Sequence, residues 1–199
     1  MSAPTERNRY DSAGRKTGRQ SATGTITSIG YDASGLFRGS ETNPLGTTTS
    51  DYDLAVGKAT EITGADGAVV RTRYDAQSRM VRTIDGAGND VAATFDVVDR
   101  ISELTVGGVV RESYRYDDLA SHGFGRLHVV SYPAGSQRFG YDLQGRMTSH
   151  TFAFDGVAAD STFEFGYDAQ GRRTEVTYPD GSVAAQELYD DGVPRRVMG

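Results

Sequence analysis

The 199-residue sequence predicts an all-β chain of tandem antiparallel β-hairpins forming a twisted, curved open sheet. Three observations carry this expectation. An aromatic-aspartate pair begins at Tyr10, Tyr31, Tyr52, Tyr74, Phe95, Tyr116, Tyr141, Tyr167 and Tyr189, with successive starts 21, 21, 22, 21, 21, 25, 26 and 22 residues apart. A recurring period of this size marks stacked supersecondary units, none of which buries its apolar face alone. Turn chemistry follows each pair, and the flanking residues alternate between apolar and polar with a period of two.

The fullest copy runs Tyr167-Asp168-Ala169-Gln170-Gly171-Arg172. Asp168 suits the first position of a type I turn, where its carboxylate accepts a bond from the backbone two residues on, and Gly171 stands where the chain needs a left-handed residue. Such a turn closed by a glycine bulge joins two antiparallel strands. Before it, Phe163, Phe165 and Tyr167 alternate with Thr162, Glu164 and Gly166; after it, Thr174, Val176 and Tyr178 alternate with Arg173, Glu175 and Thr177. A half-wet antiparallel sheet reads this way. A parallel β-helix with one coil per period is the rival, and it differs in pairing equivalent residues of successive units.

Taken in order, Tyr10-Asp11-Ser12-Ala13-Gly14-Arg15 already matches the full unit. Tyr31-Asp32-Ala33-Ser34-Gly35 keeps the glycine but places Leu36 where arginine would stand. The stretch Gly39 to Ser50, with Asn43-Pro44, reads as loop or weak edge strand, because proline cannot donate to a ladder. Tyr52-Asp53 reaches Gly57 one residue late, followed by Lys58. Asp66-Gly67 is a dipeptide favoured in tight hairpins and marks the opposite turn, between one repeat and the next. Ser78 and Asp99 occupy the glycine position of their units, and a serine held left-handed there costs about 1 to 2 kcal/mol. Leu119 to Phe124 is a loop insertion that delays Gly125-Arg126. Tyr141-Asp142-Leu143-Gln144-Gly145-Arg146 is again a full match, Asp155-Gly156 and Pro179-Asp180-Gly181 mark far turns, and after Tyr189-Asp190 the chain is expected to end without a partner strand. The whole is counted as one array over 1–199, with degenerate repeats in 1–58 and more regular ones in 59–199. The lack of a polar terminal cap suggests a piece of a longer array.

Composition narrows the function classes. With 37% hydrophobic residues, 25 glycines and no tryptophan, against 11 tyrosines and 8 phenylalanines, cohesion rests on backbone ladders and cross-strand aromatic pairs rather than a large core. A net charge of −6 argues against nucleic acid as a partner, since no basic stripe displaces counterions from phosphate. Cysteine is absent, which excludes disulfides and thiolate metal sites. No apolar run approaches a membrane span, and the polar start at Met1 to Tyr10 carries no export signal.

The pattern of Tyr-Asp, two variable residues, Gly-Arg, a short strand and then Pro-Asp-Gly resembles the YD-repeat, or Rhs (rearrangement hotspot), family, which includes bacterial polymorphic toxins, toxin-complex cocoon proteins and teneurins. The resemblance implies that runs of these hairpins spiral into a hollow β-shell, which in the bacterial toxins encloses a C-terminal toxic domain. Implied partners are therefore the remainder of a longer YD-repeat protein or an enclosed toxin, reaching the cell exterior through a dedicated secretion system of the full-length parent. The sequence contains no Asp-Pro dipeptide, so the family's self-cleaving boundary motif has no counterpart here. Nine hairpins give about 18 strands and a width on the order of 85 Å, a partial wall. The carried-over residues are structural turn residues: Tyr10, Asp11, Gly14, Arg15, Tyr141, Asp142, Gly145, Arg146, Tyr167, Asp168, Gly171 and Arg172.

No catalytic, cofactor or metal site is expected. The repeated aspartates have a turn role that explains each of them, and an exposed Asp168–Arg172 pair contributes little. His122, His128 and His150 show no ligand spacing, and no Gly-x-Ser-x-Gly elbow or phosphate-cradling glycine loop is present. Phe152, Phe154, Phe163, Phe165, Tyr167 and Tyr178 are expected to pack on one another across strands. The alternative is that they stack on sugar rings, which would make the chain a surface carbohydrate-binding or adhesion module.

Overall fold

The computed structural model describes residues 6–120 and 122–198. The leader Met1–Thr5, Ser121 of the expected insertion and Gly199 lie outside the described residues. Eighteen strands form among the described residues, and no helix is long and apolar enough to cross a membrane. The chain divides into two compact units, residues 1–93 with 106–108 and residues 94–105 with 109–199.

The first unit contains β1 (Arg7–Tyr10), β2 (Lys16–Gln20), β3 (Ile26–Tyr31), β4 (Arg38–Asn43), β5 (Gly46–Asp53), β6 (Lys58–Thr63), β7 (Val69–Tyr74), β8 (Met80–Ile84) and the start of β9 (Asp90–Phe95). The second holds most of β10 (Ile101–Val106), then β11 (Val109–Tyr116), β12 (Leu127–Tyr132), β13 (Gly135–Tyr141), β14 (Met147–Phe154), β15 (Ser161–Tyr167), β16 (Arg173–Thr177), β17 (Val183–Leu188) and β18 (Pro194–Met198). From β1 to β9, and again from β11 to β18, each strand pairs antiparallel with the next. Residues flanking each turn face one another, as in Phe165↔Val176, which excludes the parallel β-helix.

The two kinds of hairpin differ in register. Where an aromatic-aspartate pair enters the turn, the ladder slips by one residue beside the aromatic: Tyr167 faces Arg173 while Gly166 faces Glu175, and Tyr141 faces Met147 while Gly140 faces Ser149. The extra residue on the outgoing strand is a bulge, which bends that strand and increases its local twist. Hairpins closed by the far turns run without a slip.

Several sequence expectations are corrected. Gly39 to Ser50 forms neither loop nor weak edge but lies within β4 and β5, paired on both sides, with Asn43 facing Gly46 and Pro44-Leu45 at the tip. The proline stands outside the ladder it would have broken, and the β-branched threonines pair within it: Thr42 Oγ1 lies 2.8 Å from Thr47 Oγ1. Asp66-Gly67 does lie in the turn between β6 and β7, and that turn is a three-residue loop. The Gly64 amide donates to the Ala68 carbonyl and Gly67 alone is left-handed, so the loop has the same three-residue form as the aspartate turns. Near the C-terminal end the turn begins one residue earlier than expected. The Tyr189 amide donates to Val193, which puts Leu188 in the aromatic's place and Tyr189 in the aspartate's, and β18 completes the hairpin by pairing with β17.

Burial is sparse. The buried apolar residues are Ile29 in the first unit and Val129 and Val130 in the second. Neighbours on one strand point to opposite faces, so β12 is covered on both sides at this point, with Val130 between Tyr114 and Gln137 and Val129 between Arg115 and Arg138. Ser78 and Asp99 keep the left-handed backbone of the glycines they replace, at φ 62° and 68°. Ser78→Gly should therefore stabilise the chain by about 1 kcal/mol, read as a higher urea midpoint at unchanged slope. No gain would show that the serine is unstrained.

Candidate functional site

Each full unit builds the same small cage around one carboxylate. Asp168 Oδ1 accepts the amides of Gln170 (3.0 Å) and Arg172 (2.9 Å), while Oδ2 accepts Arg172 Nε at 2.6 Å. The Asp168 amide donates to the Arg172 carbonyl and the Gly171 amide to the Asp168 carbonyl. Asp142 repeats this with Gln144 and Arg146, and Asp11 with Ala13 and Arg15. The partial matches at Asp75 and Asp96 form the cage as completely. Even the far turn at Asp85 copies it, with Asn89 Nδ2 in the guanidinium's place. The Asp168–Arg172 pair is half-buried rather than exposed. The inserted loop preserves the frame across its extra residues, since the Asp117 amide still donates to the Arg126 carbonyl.

The second function of the arginine is invisible in any single repeat. Held by Nε, the guanidinium projects its outer nitrogens onto the following repeat and lies over that repeat's aromatic ring: Arg15 over Tyr31 at 4.7 Å, Arg100 over Tyr116 at 4.2 Å and Arg146 over Tyr167 at 4.7 Å. In the lengthened loop Arg126 lies over Tyr141 at 5.5 Å. Lys58 does the same over Tyr74. Phe37, not Leu36, takes the arginine's place in its unit and stacks on Tyr52 at 4.7 Å. The tyrosine hydroxyl donates to the carbonyl next after that side chain, as in Tyr31 to Lys16, Tyr116 to Ile101, Tyr141 to Leu127 and Tyr167 to Met147. The outer nitrogens also reach the next turn: Arg15 donates to Gly35, Arg172 to Tyr189, and Arg100 to the Asp117 carboxylate.

The turn glycines serve this stacking as well as the backbone. A side chain at Gly35 would overlap the guanidinium of Arg15, and one at Gly145 that of Arg126, whereas nothing approaches Gly14 within 4 Å.

The second unit carries an aromatic column on one face. Phe139 stacks on His150 at 4.5 Å, His150 on Phe152 at 4.1 Å, and Phe152 and Phe163 continue edge-to-face to Tyr178. Phe154 lies beside Phe152, while Phe165 and Tyr167 do not join; they receive Arg173 and Arg146 instead. His150, which sequence patterning passes over, is a column member, and Nε2 lies 2.8 Å from Gln137 Oε1. Among the described residues no group of three or more His, Asp or Glu side chains converges to hold a metal ion.

Comparison with known proteins agrees with this geometry. The family model described as RHS Repeat matches residues 52–90, 122–156 and 158–183. No curated protein sequence matches. Among solved structures the chain is similar to the crystal structure of TcdB2-TccC3, with TM-score 0.65 and 16% identity over 96% of this chain. It is also similar to those of TcdB2-TccC3-TEV (0.57, 13%, over 92%) and TcdB2-TccC3-Cdc42 (0.55, 12%, over 95%). At these identities the likeness establishes the fold, and the chain spans only 12%, 12% and 13% of those chains.

Gly14 and Gly145 share nearly the same φ, 77° and 76°, so alanine at either meets the same backbone strain. Gly145→Ala should lower the thermal midpoint further than Gly14→Ala, because it also displaces Arg126 from Tyr141. Equal losses would show that the stacking is not felt.

The cages also set a pH dependence. At Asp168, Asp142, Asp96 and Asp75 burial by itself would raise the carboxyl pKa, but the bonds from the following arginine's amide and guanidinium prevail and lower it; at Asp11 the Arg15 amide leads that lowering. A carboxyl that gives up its proton more readily when folded contributes stability that is present above its unfolded pKa, about 3.9, and lost as pH falls through the lower folded value. Burial lowers the His150 pKa, which adds a shallower loss below about pH 6.5. The denaturant midpoint should fall steeply below about pH 4, and less steeply in Asp168→Asn, which has no proton to gain there. A midpoint that stays level below about pH 4 in both proteins would contradict the cages' role.

Proposed function

Since the chain belongs to the RHS repeat family, we propose that it is a non-catalytic wall segment of a longer repeat shell that encloses a C-terminal toxic domain and helps deliver it. One observation carries this reading: the arginines of the turns are spent on joining one repeat to the next, through Arg15–Tyr31, Arg100–Tyr116 and Arg146–Tyr167. The similar structures are of TcdB2-TccC3, which supports a role within an assembly of larger parts. In this reading the two compact units are stretches of one array, because the 21-residue period runs through Tyr74, Phe95 and Tyr116 without a break.

A second reading has its own observation. Phe152 and Phe154 lie within 10° of parallel, Phe154 is 56% exposed, and with Tyr132 and Gln137 they border a cleft of about 280 Å³. Flat rings with polar neighbours suit a pyranose. Titration with cell-surface glycans, followed by tyrosine fluorescence, should show saturable quenching under this reading and none under the first.

Protease protection tests the shell. In the full-length parent the C-terminal region should resist digestion while the wall is intact, and become cleavable when Arg146→Ala and Tyr167→Ala break the joint between two repeats. Equal digestion of parent and variant would overturn the enclosing role.

A further inference from the structure

Val129 is only 8% exposed, yet the residues that flank it across the ladder are two arginines, Arg115 on β11 and Arg138 on β13. Long side chains cover an apolar neighbour with their aliphatic stems and keep the charged head in water. Two strand spacings, about 10 Å, separate the two backbones. Stems that lie over one valine therefore bring both guanidinium groups toward the same place.

Those two heads are uncompensated. Among the described residues neither meets a carboxylate, a carbonyl or a ring, although the chain carries a net charge of −6 and the turn arginines Arg15, Arg79, Arg100, Arg146 and Arg172 are all paired. The nearby acids are engaged elsewhere: Glu112 accepts the Tyr114 hydroxyl, Asp117 holds Arg100, and Asp142 holds Arg146. Like charges gathered without a counter-charge repel, and an anion placed between them relieves that repulsion.

A second observation points the same way. One step along this face, about 7 Å away, Ser113, Ser131 and Ser136 stand side by side across the three strands and are half-buried. Hydroxyl neighbours elsewhere in the chain bond to one another, as Thr42 does with Thr47, Thr94 with Ser102 and Thr151 with Thr162. These three serine hydroxyls have no protein partner among the described residues. Arg111, also exposed, borders the serine row on its other side.

We propose that this face of β11, β12 and β13 binds a tetrahedral oxyanion, the phosphate or sulfate group of a small polar molecule. Arg115 and Arg138 grip it with paired N–H groups, and the serine hydroxyls donate to the oxygens turned away from the arginines. A carboxylate offers only two oxygens to this many donors. A nucleic-acid backbone would need a longer row of cations than this local cluster. Arg138 stands between Gln137 and Phe139, so it points to the sheet face opposite the aromatic column. The site is therefore separate from the glycan cleft and from the turn stacks, and its test stands apart from theirs.

Nuclear magnetic resonance of the whole chain tests it, with inorganic phosphate, inorganic sulfate and acetate added in turn and sodium chloride at matched ionic strength as the reference. Phosphate or sulfate should shift the arginine Nε–H signals of Arg115 and Arg138 saturably, and chloride should not. Tighter binding of phosphate assigns the natural group to a phosphate ester, and tighter binding of sulfate to a sulfate ester. Arg138→Gln, which keeps part of the stem over Val129, should weaken the affinity at least about tenfold, and Ser131→Ala about threefold. Arg196→Gln makes the same charge change on β18 and should leave the affinity unaltered. Far-UV circular dichroism identical to the wild type verifies that each variant is folded. Shifts that rise without saturation and equally in chloride, or equal weakening by R138Q and R196Q, would overturn the site. Acetate bound as tightly as phosphate and sulfate would overturn its assignment to a tetrahedral anion.

Discussion

The structure depends on one carboxylate dividing its two oxygens between two tasks. In the cage at Asp168, Oδ1 holds the backbone of the turn and Oδ2 holds Arg172 by Nε. A guanidinium fixed by one edge is already oriented before it meets anything else, so less side-chain entropy is lost when its outer nitrogens engage the next repeat. Removing the aspartate would thus loosen both the turn and the joint beyond it. This explains why the motif pairs aspartate with arginine across the loop, when a surface ion pair alone does little for stability.

An array held in this manner needs little interior. Ile29, Val129 and Val130 are the buried apolar residues, and many large apolar side chains remain in contact with water. The hydrophobic term that dominates most folds is weak here, and cohesion comes from strand ladders, from the aromatic column around His150 and from cations over tyrosines. Each repeat contacts its neighbours and little else, so stability approaches a sum of repeat terms and joint terms. Such an array tolerates irregular members. Phe37 in place of an arginine, and a loop lengthened between Asp117 and Arg126, leave the frame standing because ring stacking and the first backbone bond survive.

Much of this was legible in the residues. The nine-fold aromatic-aspartate ladder, the left-handed glycines and the period-two strands are local properties, and local properties can be read locally. Errors arose where a residue's role depended on which strand it met. Pro44 suggested an edge and instead sits at a tip. Leu36 stood at the arginine's position by counting, whereas the turn's backbone bonds assign that place to Phe37. Tyr189 looked like another entering aromatic and is the first turn residue, with Leu188 beside it.

Sequence alone determined the all-β class, the period of the repeat and the absence of a thiol or disulfide, because each follows from residue type and spacing within about 21 positions. Tertiary structure decided the role of the arginines. Their partners lie a full repeat away, on the next aromatic and the next turn, and a pairing between units leaves no trace in the chemistry of either.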